Sequence, residues 1–267
     1  MKRQPAVAGQ FYAGSSSQLR SDLVALIPKA HGMRKVIGII APHAGYVYSG
    51  AIAGKIYAAI DIPDRVLILG PNHHGSGAGV ALFPDGEWIT PLGPIQVSTR
   101  LNSHLNQNVP LVRSDTVAHE FEHSLEVQVP FVQYLRPDAH ISALCLGHGD
   151  FAAVRQIGEG VAAAIRAYGR DVLIVASSDM THYESADSAR RKDGLALDKV
   201  LNLNPEGLLQ VCRDERITMC GAVPAAVMLV AARELGAAHA ELVAYGTSGD
   251  ITGDNRQVVG YAAVAVW

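Results

Sequence analysis

VIGIIAPHAG, at residues 36–45, joins a short apolar run to a loop that carries a histidine. The same pattern recurs as VLILGPNHHG at residues 66–75 and as VLIVASSDMTH at residues 172–182. Continuous aliphatic runs of this length are typical of strands that are buried on both faces of a parallel sheet. Ligand sites of open α/β sheets lie beyond the carboxyl ends of the strands, so we expect these loops to gather at one sheet edge.

The remainder of the chain alternates strand and helix patterns, which indicates an α/β fold. ISALCL at 141–146 is a fourth buried strand, and Ser15 and Asp150 are predicted to cap helices that run to about Lys29 and Tyr168. A further helix is predicted over 120–134, with a kink or an early break at Pro130. Because no linker divides the chain, we predict one domain over residues 1–267, with a mostly parallel central sheet flanked by helices.

Composition excludes several classes of function. The 267 residues carry a net charge of −3, which does not favour a nucleic-acid or anionic-membrane partner. No apolar stretch approaches the roughly 18–20 residues of a spanning helix, and no apolar run follows the basic residues near the N-terminus, so we expect no secretory signal. The three cysteines lack a Cys-x-x-Cys spacing, so we expect a cytoplasmic protein without disulfides. No glycine-rich phosphate loop follows a strand, so no nucleotide cofactor is expected.

The loops after the three strands carry His43, His73, His74, Asp179 and His182, side chains that suit a metal site or acid–base chemistry. Adjacent residues of an extended loop point in opposite directions, so at most one of His73 and His74 is expected to enter a given site. Asp179 and His182 could share one turn, where the carboxylate would orient the imidazole. Alternatively, Asp179 caps a helix and His182 is exposed.

The segment HEFEH at 119–123 matches the His-Glu-x-x-His pattern of zinc proteases. On a helix, His119 and His123 could share a metal ion, and Glu120 would be the general base. A more economical interpretation places Glu122 and Glu126 on one helix face with His123 beside them. The third alternative is a solvated acidic first turn, which suits the helix dipole.

Cys220 is the cysteine with a candidate chemical role, because Cys220-Gly221 is predicted to open a helix. A helix N-terminus lowers the pKa of a thiol and favours the thiolate, which is the form that binds metal ions. The alternative is a small buried apolar residue, as most free cysteines are.

Six segments together resemble one family across nearly the whole chain. They are PAVAGQFY at 5–12, APHAGYVYSG at 41–50, LGPNHHG at 69–75, EHSLEVQVPF at 122–131, SSDMTH at 177–182 and Cys220-Gly221. By these segments the chain is identified as a member of the Memo family, whose prokaryotic members are often named AmmeMemoRadiSam system protein B. The family is similar in fold to the class III extradiol dioxygenases, which are non-haem iron enzymes.

The resemblance implies a metal pocket. His43 and His73 would occupy the two histidine-ligand positions, and Cys220 would stand where the dioxygenases have a carboxylate. Asp179 and His182 would line the pocket, either as groups that support the ligands or as acid–base groups, with His123 as a companion. A thiolate ligand favours softer metals such as copper(I) or zinc, although iron would remain compatible.

Three hypotheses follow. The first is a metal-dependent oxidoreductase that binds iron or copper, acts on a small molecule or a protein-linked substrate, and works with a radical-SAM protein and an AMMECR1-like protein that the resemblance suggests. The second is a peptide- or ligand-binding module with a vestigial pocket. The third is a zinc hydrolase that uses His119, Glu120 and His123.

Overall fold

The computed structural model describes residues 1–29 and 32–267. Its strands are β1 (Lys2–Arg3), β2 (Gly38–Ala41), β3 (Arg65–Pro71), β4 (Val80–Leu82), β5 (Glu87–Thr90), β6 (Gly93–Val97), β7 (Arg113–Ser114), β8 (His140–Leu146), β9 (Leu173–Ser177), β10 (His182–Glu184), β11 (Ala240–Thr247) and β12 (Val258–Val266). They form one mixed sheet whose main path runs β1-β5-β6-β8-β3-β9-β2-β12-β10. β11 pairs with β12, and β4 pairs with β7 and β8.

The helices cover both faces of this sheet. They are α1 (Ser16–Leu26), α2 (Tyr46–Ala59), α3 (Thr99–Asn108), α4 (Val129–Leu135), α5 (Phe151–Tyr168), α6 (Ala186–Leu201), α7 (Pro205–Asp214), α8 (Ala222–Glu234) and α9 (Gly249–Thr252). Short 3₁₀ helices cover Val117–His119 and Glu126–Gln128. The predicted α/β class with a mostly parallel central sheet is confirmed. No helix in the described part of the chain is both long and apolar enough to cross a membrane.

The four central strands β8, β3, β9 and β2 are parallel neighbours. Their apolar residues alternate between two cores: Ile40 packs with α3, α5 and α8, whereas Ile39 packs with α1, α2 and α4. Burial on both faces is why these runs are continuously apolar. The strand ends are in register, because Ala41 pairs with Ser177. The loops after β2, β3 and β9 therefore meet at one edge.

The capping residues Ser15 and Asp150 correctly predicted where α1 and α5 begin. The Ser15 hydroxyl accepts the Gln18 N–H at the start of α1, and the Asp150 carboxylate accepts the Ala153 N–H at the start of α5. α5 ends at Tyr168 as predicted, but α1 ends at Leu26, three residues before the predicted position.

The helix predicted over 120–134 is wrong. Only α4 is α-helical in this region, and Pro130 lies in its first turn, where the missing N–H costs nothing. Upstream, the Glu122 carboxylate accepts the N–H of Ser124, and the Glu126 carboxylate accepts N–H groups from Ala6 and Val7. These tertiary hydrogen bonds favour turns over a regular helix.

Candidate metal centre

Three imidazoles converge at the carboxyl edge of the central strands. His43 follows β2, His73 follows β3, and His123 lies between the two 3₁₀ helices. One ring nitrogen from each can be chosen so that all three atoms lie within 4.8 Å of one another. The ring centroids are 5.3 Å apart for His43 and His73, 5.5 Å for His43 and His123, and 4.8 Å for His73 and His123. These three side chains could hold a metal ion.

His43 is the most buried of the three. Its main-chain N–H donates to Asp179 Oδ1 at 2.8 Å, and its ring Nδ1 lies 3.0 Å from Ser177 Oγ. Burial, followed by the neighbouring imidazoles of His123 and His73, holds the pKa of His43 well below its usual range. The ring is therefore neutral at neutral pH, which is the form that binds metal ions.

His73 and His123 are more open, with 29% and 21% of their side chains exposed, and both face Glu122. Glu122 Oε1 lies 2.9 Å from His73 Nδ1 and 3.6 Å from His123 Nδ1, and Oε2 accepts the His73 main-chain N–H. Burial alone would raise the pKa of Glu122. The pKa is nevertheless held well below its usual range by the hydrogen bond and charge of His73 and by the hydrogen bond from the Ser124 N–H. An ionised carboxylate thus orients the His73 imidazole.

Cys220 lies beside the cluster. Its Sγ is 3.3 Å from His43 Nε2 and accepts the Asp179 N–H, also at 3.3 Å. Gly221 permits this approach, because a Cβ there would lie 2.4 Å from the Ser177 carbonyl oxygen. The expected lowering of the thiol pKa is wrong: α8 begins only at Ala222, and burial, then the charge of Asp179, raises the pKa of Cys220.

Asp179 lies on the same side of the cluster as Cys220. Its Oδ2 lies 3.9 Å from His43 Nε2, and burial raises the pKa of its carboxyl group to about 7. The N–H groups of His43 and Ala44 oppose this rise. A carboxyl group with such a pKa can both hold and release a proton near neutral pH.

His182 is not oriented by Asp179. Its main-chain N–H donates to Thr218 Oγ1 at 2.7 Å, and its Nδ1 lies 2.9 Å from the Thr218 carbonyl oxygen. A shared turn with Asp179 does not form, because His182 begins β10. His74 is exposed, and its Nε2 contacts the carbonyl oxygen of Phe121 rather than the cluster.

The His-Glu-x-x-His interpretation fails on geometry. His119 is fully buried, donates from Nε2 to the Ala81 carbonyl oxygen at 3.0 Å, and packs edge-on against Phe83 and Trp88. Since no α-helix connects His119 to His123, their side chains do not share a face. The zinc hydrolase hypothesis therefore lacks its ligand pair.

Sequence reasoning missed the polar groups behind the ligands. Ser177 is buried against His43, Ser124 and Gln128 are buried against Ser177, and none of the three was a candidate. Ser177 stands within the SSDMTH segment, so its position after β9 was a usable signal. Nothing local indicated that Gln128 would reach the β2 loop.

The donor set fits a transition-metal ion. Imidazole nitrogens with a neighbouring thiol suit iron, copper or zinc, whereas Mg²⁺ and Ca²⁺ prefer oxygen ligands. Two of the imidazoles have their Nδ1 atoms occupied by Ser177 and Glu122, which leaves their Nε2 atoms available for a metal ion. The metal's identity and the participation of Cys220 stay predictions.

Comparisons with known proteins agree with the sequence segments. The family model described as Memo-like protein matches residues 3–265. A MEMO1 family protein of Methanococcoides burtonii is 41% identical over 99% of both chains, and one of Methanopyrus kandleri is 37% identical over 99% of this chain and 98% of its own. The solved structure of an uncharacterized protein of Escherichia coli K12 covers 86% of this chain with a TM-score of 0.53 at 13% identity, which supports the fold alone. The chain therefore belongs to the Memo-like protein family.

Proposed function

We propose that this protein binds one first-row transition-metal ion, iron or copper, through His43, His73 and His123. The convergence of three imidazoles from three separate segments carries the proposal. Cys220 Sγ, 3.3 Å from His43 Nε2, is a further donor on the same side. Zinc fits the same donors, so the physiological metal has to be measured.

We further propose that the centre supports redox chemistry on a small molecule or a protein-linked substrate. The family's similarity in fold to class III extradiol dioxygenases supports this proposal, and a bound iron or copper ion would supply the electron transfer. Asp179, with a pKa of about 7, holds or accepts a proton beside the metal position. The thiol in place of a ligand carboxylate argues for chemistry other than ring opening.

Metal analysis of protein purified without added metal tests the site. We expect about one metal ion per wild-type chain and strongly reduced content in His43→Ala and His123→Ala. His74→Ala is the matched control, because His74 is adjacent to His73 but exposed and outside the cluster. Equal metal content in all four proteins would contradict the proposal.

Cys220→Ser separates two versions of the centre. If the thiolate is a ligand, the substitution lowers metal content and, in the copper- or cobalt-loaded protein, removes the sulfur-to-metal charge-transfer absorption. If the three histidines suffice, the metal content stays and the spectrum is unchanged, which would exclude Cys220 as a ligand.

A further inference from the structure

The Ser177 hydroxyl, at the end of β9, has three polar neighbours and no contact with solvent. Its Oγ is 2.7 Å from the Ser124 carbonyl oxygen, 2.8 Å from Gln128 Nε2 and 3.0 Å from His43 Nδ1. A hydroxyl has one proton to donate and two lone pairs that accept. The roles of the three neighbours are therefore constrained.

The carbonyl oxygen of Ser124 can only accept, so it takes the single Ser177 proton. Gln128 Nε2 can only donate, so it fills one lone pair of Ser177 Oγ. The remaining lone pair faces His43 Nδ1, which must then carry a proton and donate it. If His43 Nδ1 instead accepted the Ser177 proton, the Ser124 carbonyl oxygen would face the Ser177 oxygen at 2.7 Å with no proton between them.

The orientation of the Gln128 amide is itself determined by its neighbours. Tyr57 donates its hydroxyl proton to Gln128 Oε1 at 3.0 Å, and Gln128 Nε2 also donates to the Pro42 carbonyl oxygen at 3.0 Å. A flipped amide would place an oxygen against Pro42 O and an NH₂ group against the Tyr57 hydroxyl. Both Tyr57 and Gln128 are buried, so no water competes for these groups.

We propose that Ser177 is a positioning residue that holds neutral His43 in the tautomer protonated at Nδ1, with Gln128 and Tyr57 fixing the direction of the Ser177 hydroxyl. The unprotonated Nε2 then faces the cluster before any metal binds. In this state the Cys220 thiol, whose Sγ lies 3.3 Å away, can donate a hydrogen bond to Nε2. The tautomer is a property of the protein alone; its consequence for metal affinity rests on the proposed function.

Two-bond ¹H–¹⁵N correlation spectra of the metal-free, ¹⁵N-labelled protein test the tautomer directly, because protonated and unprotonated ring nitrogens have well-separated shifts. The His43 signals are those that vanish in His43→Ala. We expect Nδ1 to carry the proton in the wild type. A wild-type spectrum with the proton on Nε2 would overturn the proposal without any variant.

Ser177→Ala removes the acceptor for Nδ1–H, so we expect the Nε2-protonated form of His43 to become populated. Ser142→Ala is the matched control, since Ser142 is an equally buried strand serine whose hydroxyl has no hydrogen-bond partner among the described residues. An unchanged His43 tautomer in Ser177→Ala would overturn the role of Ser177. If Ser177→Ala does not fold, the wild-type spectrum still decides the tautomer.

Zinc affinity, measured by competition with a chelating dye, tests the consequence. Loss of a group that orients a metal-binding histidine typically weakens affinity by about 10–100-fold, so we expect a shift of that order in Ser177→Ala and none in Ser142→Ala. Equal affinities would overturn the link between tautomer and metal. If the wild type binds no zinc, iron or copper, the proposed function fails, whereas the spectra still decide the tautomer.

Discussion

The segment from Val117 to Gln128 has two sides that use similar residues in different ways. On one side, here called the metal side, Glu122 and His123 face the candidate metal centre with His73. On the other side, His119 and Glu126 face the N-terminal segment, where Arg3 Nη1 pairs with Glu126 Oε2 at 2.7 Å. The first carboxylate is partnered by imidazoles that leave one nitrogen free, and the second by a guanidinium that is always charged. The charge partner of each carboxylate therefore distinguishes them: Glu122 is available to support a metal ligand, whereas Glu126 stabilises the fold.

The side of the segment that carries His119 and Glu126, here called the fold side, is held by several long-range hydrogen bonds. Arg3 also donates to the carbonyl oxygens of His119 and Glu122 and lies 4.2 Å over the Trp88 ring. Glu126 accepts, in addition, from the N–H groups of Ala6 and Val7 and from the Tyr12 hydroxyl. This network attaches the N-terminal segment to the segment that carries His123. Among the described residues, no lysine or arginine pairs with the Glu122 carboxylate, so its negative charge can support a bound ion.

Arg3→Met should have the largest effect on stability. It leaves the Glu126 carboxylate buried and unpaired, which typically costs about 3–5 kcal/mol in the free energy of unfolding. Urea denaturation measures the loss, and we expect the folded fraction to keep its metal. Arg34→Met is the matched control: Arg34 also pairs with a glutamate and covers a tryptophan, but at the surface, and should cost about 1 kcal/mol or less.

His119→Gln should change the response to acid. Burial, which outweighs the hydrogen bond to Ala81, lowers the pKa of His119 to about 4 from the ordinary 6.5. Between these values the unfolded chain binds the proton and the folded chain does not, so stability falls as pH drops from 6.5 towards 4, by up to about 3 kcal/mol. Glutamine can still donate to the Ala81 carbonyl oxygen but does not titrate.

The measurement is the urea midpoint at pH 7 and at pH 4.5 for wild type, His119→Gln and His74→Gln, the last being the control at an exposed histidine. We expect a smaller acid-induced shift only in His119→Gln. The same acid shift in all three proteins would show that His119 does not belong to the fold side as described. Retained metal in His119→Gln would also agree with its position outside the cluster.

Glu122→Gln should act on the metal and should also cost the fold one hydrogen bond, because the new NH₂ group would face the His73 main-chain N–H that Oε2 accepts. The amide oxygen can still accept from His73 Nδ1, but the negative charge that supports the bound ion is lost, so we expect metal affinity to fall by about 10–100-fold. Chelator competition measures this change. Glu120→Gln, at an exposed neighbour, should leave the affinity unaltered, and an equal loss in both variants would remove the distinction between the two sides.

The sequence alone was sufficient to predict where the central strands end and which histidines follow them. The apolar runs before His43 and His73 predicted parallel strands from burial alone, and the geometry of parallel sheets then placed the two histidines at one edge. This inference needed no knowledge of strand order. The position of Cys220 came instead from the family resemblance, because its approach depends on Gly221 packing against the β9 loop.

The two sides of the 117–128 segment could not be predicted in the same way. Spacing arguments for His119, His123, Glu122 and Glu126 assumed a helix, on which residues four apart share a face. The helix does not form, because Glu126 is held by Ala6, Val7 and Arg3, about 120 positions away along the chain. Long-range hydrogen bonds thus decided which side chains face the candidate metal centre.

Tyr12→Phe should give the smallest effect and tests whether the fold side needs its last hydrogen bond. The Tyr12 hydroxyl donates to Glu126 Oε1 at 2.5 Å, and the carboxylate keeps Arg3 and two N–H donors when that bond is lost. We therefore expect a loss of about 1.5 kcal/mol in the free energy of unfolding, at the lower end for a hydrogen bond to a charged group, with unchanged metal content.

Tyr46→Phe is the matched control, since the Tyr46 hydroxyl donates at 2.8 Å to a neutral acceptor, the Val127 carbonyl oxygen, within the same core. Hydrogen bonds to charged acceptors are stronger than those to neutral ones, so Tyr12→Phe should cost more than Tyr46→Phe in the same urea experiment. Equal losses would mean that Arg3 already neutralises Glu126 fully. The contrast between the two carboxylates would then rest on the guanidinium alone, and Tyr12 would contribute no more than an ordinary buried hydroxyl.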